Sequence, residues 1–167
     1  MTHPLSALGA GHTLISIVPV IFGIYSFARY GGIEAGTRSG RIYLTGILMS
    51  VLTSFGLSST GGFNAGHALG ILALLTLAVA LTIPHVHRLG RARRYLSQLA
   101  YTFSFFLLLV PGINETLTRL PVARPLASGP DATIVRAALA AWVVIFVLGA
   151  LVQGCWIRVR RARTQLI

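Results

Sequence analysis

The chain has 167 residues, 54% of them hydrophobic and 10% charged, with a mean hydropathy of +0.78. That is too apolar for an ordinary soluble domain. Apolar stretches of roughly the 18 or more residues needed to cross a bilayer recur along it. The formal net charge of +11 comes from arginines, since no lysine is present. They cluster in short segments between or after apolar runs, as retained cytoplasmic loops do, and they bring attraction to anionic membrane lipid. No basic surface interleaved with aromatic residues accompanies them, so nucleic acid is not expected as a partner. The single Cys155 excludes an internal disulfide and a cysteine-based zinc site.

Five apolar segments follow in chain order, at about 11–30, 41–58, 65–84, 95–112 and 133–157. Backbone in a bilayer must satisfy its own hydrogen bonds, and barrel-like alternation is absent, so these segments are read as helices. The fold class is all-α, one polytopic helical domain over 1–167. The first ten residues lack a basic region, so the first run is expected to stay as a spanning helix and not to be cleaved. With the N-terminus outside, Arg29, Arg38, Arg41, Arg88, Arg91, Arg93, Arg94, Arg158, Arg160, Arg161 and Arg163 fall on the cytoplasmic side, and Arg119, Arg124 and Arg136 face outward. That bias predicts N-out and C-in. The connections flanking the third helix are short and predict antiparallel neighbours. Residues 113–132, rich in proline and polar groups, form an external loop.

Small and polar residues recur every three or four positions along several helices. His12, Ser16, Pro19, Gly23 and Ser26 align on the first, Gly46, Ser50 and Thr53 on the second, Gly66, Gly70 and Ala73 on the third. Ser97, Tyr101 and Ser104 align on the fourth, and Ala138, Ala141, Ile145 and Gly149 on the fifth. Such stripes are what close helix packing in a membrane requires. They leave His12, His67 and Glu115 without an explanation.

Two Gly-His pairs, "GAGHTL" and "GFNAGH", open the first and third helices at the same membrane face. Glu115 follows the outer end of the fourth helix, with Asn64 and Asn114 at similar depth. A carboxylate beside a bilayer is costly without a partner; Arg119, four residues on, serves if the turn is helical. His12, His67 and Glu115, supported by Asn64 and Asn114, therefore form the candidate site, opening to the periplasmic side. Three chemistries fit it. Two histidines suit axial ligation of haem b. Two histidines and a carboxylate suit a transition metal with open positions. A His–Glu pair suits proton exchange with a quinone or transported substrate. The plainer alternative is that both histidines bond water or backbone at headgroup level. His85 and His87 read as a solvated interfacial pair, and His3 lies in a short tail. No phosphate-binding loop, nucleophile elbow or paired-carboxylate motif is present.

Residues 36–81, with Gly40-Arg41-Ile42-Tyr43 opening a helix, resemble uncharacterised small bacterial membrane proteins, as does "PGINETLTRLP" at 111–121. Such proteins are loosely similar to cytochrome b561-type haem proteins in helix count and histidine content. The resemblance implies a multi-pass protein of the bacterial inner membrane and supplies no activity; on the His12, His67 and Glu115 residues themselves, haem or metal binding with a redox role is the first expectation. A carrier or small-molecule binder, with a cavity along Ser16, Ser50, Thr53 and Ser104, is the second. A subunit forming a homo-oligomer through its small-residue faces is the third.

Overall fold

The computed structural model describes residues 7–57, 62–121 and 124–164, the side chains of residues 7 and 160–164 excepted. His3, residues 58–61 and the last three residues lie outside the described part. Five helices carry the fold: α1 (Ala7–Tyr30), α2 (Arg38–Ser54), α3 (Ala65–Thr82), α4 (Ala92–Arg119) and α5 (Thr133–Thr164). All five are long and apolar enough to cross a membrane, and no strand occurs among the described residues. The chain is a multi-pass membrane protein built of helices. Large apolar side chains such as Leu14, Ile21, Leu75, Val144, Leu148 and Val152 are exposed on the protein surface, which suits lipid as the surrounding solvent.

Two boundaries differ from expectation for identifiable reasons. α2 starts at Arg38, ahead of Arg41, because Thr37 caps it: the Thr37 Oγ1 accepts from the Gly40 amide at 3.0 Å. α4 runs through Pro111 and Gly112 to Arg119, so that the first seven residues of the expected loop, 113–119, are helix. The Glu115–Arg119 ion pair bridges its last turn, as the spacing of four residues requires.

The structure divides into two compact units, residues 1–105 and 106–167, with α4 running from one into the other. In the first unit α1 and α2 pack against each other closely. Pro19, fully buried in mid-helix, sits against Gly46, where a Cβ would fall 2.8 Å from the proline ring. Tyr43 is fully buried and its hydroxyl meets Ser104 Oγ at 2.8 Å, while Ser26 bonds Ser39 at 2.9 Å in the interior. Gly40 is needed for a close approach, since a Cβ there would lie 1.9 Å from the Glu34 carbonyl oxygen. The Gly40-Arg41-Ile42-Tyr43 sequence is thus a packing device: a capped helix start, a contact only glycine permits, and a buried tyrosine one turn on.

At the far end of α3, Pro84 has no amide hydrogen to offer the Ala80 carbonyl one turn earlier. The buried Ser97 hydroxyl of α4 takes that place and donates to Ala80 O at 2.8 Å. Next to it, Gln98 Nε2 donates to the Ile33 carbonyl at 3.2 Å, tying α4 to the α1–α2 connection. The polar positions of early α4 therefore serve backbone groups that proline or a turn leaves without partners.

In the second unit, Trp142 of α5 donates its Nε1–H to the Phe106 carbonyl at 3.1 Å and stacks on the Phe106 ring, with Phe146 beside it. The connection folds back on α4: the Ala127 amide donates to Leu117 O at 2.9 Å, and Val135 at the start of α5 is fully buried.

Candidate functional site

Both histidines of the Gly-His pairs belong to the first unit, and both dock on the C-terminal turn of α2. They do so through successive residues. His12, half-buried on α1, lies with Nδ1 2.9 Å from Thr53 Oγ1. The Thr53 hydroxyl has one proton, and the Met49 and Ser50 carbonyls take it at 2.9 and 3.0 Å. Thr53 therefore accepts from His12, which fixes the neutral ring as the Nδ1–H tautomer. Its Nε2 edge faces Ser16 Oγ at 3.4 Å. Ser16 in turn bonds the His12 carbonyl at 2.8 Å and Ser50 Oγ at 2.7 Å. Histidine, two serines and a threonine so make one hydrogen-bonded strip between α1 and α2. A histidine four residues before a serine on α1, and a serine three residues before a threonine on α2, place all four side chains on facing stripes.

His67 is used differently. It is 4% exposed and occupies the third position of α3. Asn64 caps that helix: its Oδ1 accepts from the His67 amide at 3.1 Å, and the Asn64 amide donates back to His67 Nδ1 at 3.3 Å. This is a capping box in which an imidazole stands where Glu or Gln is usual. With Nδ1 accepting, the neutral ring carries its proton on Nε2, which donates to the Ser54 carbonyl at 3.0 Å. One ring satisfies a free amide at the start of α3 and a free carbonyl at the end of α2. Phe55 stacks on it with centroids 4.7 Å apart, and Phe63 packs at 5.7 Å.

The other expected members are placed as follows. Asn64 serves as the cap just described. Glu115 pairs with Arg119, both side chains being more than half exposed, and Asn114 places a buried Oδ1 without a hydrogen-bond partner; both belong to the second unit. Ser16, Ser50 and Thr53 come together around His12. Ser104 does not join them: it donates to the Tyr101 carbonyl at 2.7 Å and accepts from Tyr43. His85 lies at the other end of α3, its Nδ1 3.1 Å from the Leu81 carbonyl, and Cys155 is exposed on α5.

Haem b needs a lone pair from each of two imidazoles directed at one iron. His67 offers none in this arrangement, because its single lone pair accepts the Asn64 amide and its N–H is spent on Ser54. Among the described residues, no three His, Cys, Asp or Glu side chains gather to hold a metal ion. As placed, the His67 ring can ligate neither group without first leaving the α3 cap. Two placements escape a reading of spacing alone, and a third does not. The Tyr43–Ser104 pair spans positions far apart in the chain. The Ser97–Ala80 bond depends on a proline that removes a donor. The His67 cap was accessible from Asn64-Ala65-Gly66-His67, which has the spacing of a capping box.

Comparison with family models, with curated proteins and with solved structures gives no match to this chain.

Proposed function

We propose that this chain is a multi-pass protein of the bacterial inner membrane that binds a small polar ligand at the periplasmic end of α1 and α2 and exchanges a proton with it through His12. The observation that carries this reading is the strip His12–Ser16–Ser50, in which an imidazole edge, a serine hydroxyl and a second serine hydroxyl follow one another inside the α1–α2 pair. An ionisable group within a spanning helix is expensive and is characteristically tied to ion or substrate passage. Imidazole is the side chain whose charge changes near neutral pH. Rotation of the Ser16 hydroxyl from the His12 carbonyl to Nε2 would complete a donor chain running from Ser50 through Ser16 to the ring without moving a helix. A redox role through haem b or a bound transition metal would require His67 to leave its cap, and the geometry favours it less.

The test is proton release or uptake by purified protein in lightly buffered detergent on addition of small carboxylic acids, amines and sugars in turn. At least one class should move a proton in the native protein and none in His12→Gln. Equal proton exchange in the two proteins would refute the role of His12. A homo-oligomer is the second reading, and the exposed Ala141, Ile145 and Gly149 positions of α5 favour it: a Cβ at Gly149 would meet nothing within 4 Å, leaving room for close approach by another helix. A single monomeric mass in mild detergent would argue against it.

A further inference from the structure

A second polar feature lies at the opposite end of the first unit, and the His12 reading does not use it. The α1–α2 connection, the α3–α4 connection and the first turns of α4 enclose an open cavity of about 350 Å³ lined by Glu34, Pro84, Arg93, Arg94, Gln98 and Tyr101, among others. Its volume falls at the lower end of the range for small-ligand pockets, roughly 300–1,000 Å³. Three of its charges are unspent. Glu34, Arg93 and Arg94 are exposed, and among the described residues none has an ion-pair partner. Arginines that served topology alone would have no reason to share a cavity with a carboxylate that pairs with neither of them.

The chemistry of the wall is specific. Two guanidinium groups present forked donors that match phosphate oxygens. The arginines lie in the first turn of a 28-residue helix, whose free amides add to the positive potential. Glu34 supplies one negative charge to the lining, and Pro84 and the Tyr101 ring give it apolar surface. Gln98 is oriented by its bond to the Ile33 carbonyl, which holds the α1–α2 connection and therefore Glu34 near α4.

We infer that this cavity binds a phosphate-bearing headgroup that also carries a primary amine, the phosphate on Arg93 and Arg94 and the ammonium on Glu34. A phosphoethanolamine group, whether on a membrane lipid or as a soluble phosphate ester, offers phosphate oxygens to both arginines and an ammonium to Glu34. A purely anionic headgroup leaves Glu34 opposed to it.

Native mass spectrometry of the delipidated full-length protein, mixed with equal amounts of phosphatidylethanolamine and phosphatidylglycerol, reads this out. The native chain should retain one phosphatidylethanolamine in preference to phosphatidylglycerol. Glu34→Gln should lower that preference roughly tenfold, as loss of one charge-assisted hydrogen bond does. Arg93→Gln with Arg94→Gln should lower retention of both lipids. Glu34 is an exposed loop residue outside the packed interior, so its variant tests the inference even if the double arginine change impairs insertion. Displacement of the lipid by millimolar soluble phosphoethanolamine would identify the free ester as the ligand, and resistance to it would identify the lipid. An unchanged lipid ratio in Glu34→Gln, or no lipid preference in the native chain, would overturn the inference.

Discussion

His12 and His67 reach α2 at consecutive residues, His12 through the Thr53 hydroxyl and His67 through the Ser54 carbonyl, and they do so as opposite tautomers. The two Gly-His pairs therefore sit at matching depth because both fasten the same helical turn, one from α1 and one from α3. Only the His12 ring continues into a strip of hydroxyls. The His67 ring is consumed by two backbone groups, which makes it a residue of the fold.

His67→Ala should accordingly destabilise the protein whatever ligand is present. The change removes two hydrogen bonds to backbone groups and the stack on Phe55. A loss of about 2–4 kcal/mol is expected, since each buried group left unsatisfied costs about 1–3 kcal/mol. Unfolding in mixed micelles measures it, and His12→Ala, which takes a donor from a threonine hydroxyl already bonded to its own helix and leaves no backbone group unsatisfied through that bond, should cost less than half as much. A larger cost for His12 than for His67 would reverse these assignments.

Ser97→Ala should leave the Ala80 carbonyl without a donor, because Pro84 cannot supply one. A loss of about 1–2 kcal/mol is expected. Pro84→Ala restores an amide hydrogen at the right spacing, so Ser97→Ala should cost much less in that background. A double-mutant cycle checks this, and strictly additive effects would show that the serine and the proline are independent.

Gly46→Leu should weaken the α1–α2 pair, since even a Cβ would come within 2.8 Å of the Pro19 ring. Overpacking of this kind costs about 1–3 kcal/mol. Gly149→Leu on α5 meets open space and should leave monomer stability unchanged. Its effect on oligomer mass in mild detergent separates a lipid-facing position from one that touches a second copy.

Glu115→Gln should change stability by less than about 1 kcal/mol, because its partner Arg119 and the carboxylate are both well exposed and such pairs contribute little. Proton exchange at His12 should persist in this variant. Its loss would restore Glu115 to the ligand site.

The five spans were legible because hydrophobic length in a bilayer is a strong constraint, and the Glu115–Arg119 pair because spacing alone sets it. The stripe holding His12, Ser16, Ser50 and Thr53 was legible as two separate faces, and the structure turns those faces toward each other. Two features were hidden for different reasons. α4 continues past Pro111 and Gly112 because a proline within a membrane helix can be accommodated by neighbouring groups, so it is a poor stop signal there. His67 looked like a ligand because imidazole within an apolar run draws attention, whereas its spacing from Asn64 already carried the capping explanation.

The most direct measurement is the tautomeric state of the two rings, read from long-range proton–nitrogen correlations at pH 8 on protein labelled at histidine, with His3, His85 and His87 replaced by Gln. His12 should appear as the Nδ1–H form and His67 as the Nε2–H form, and only the His12 signals should move when a ligand binds. Two rings in the same tautomer, or ligand-induced shifts confined to His67, would contradict the division of labour between an exchanging His12 and a capping His67.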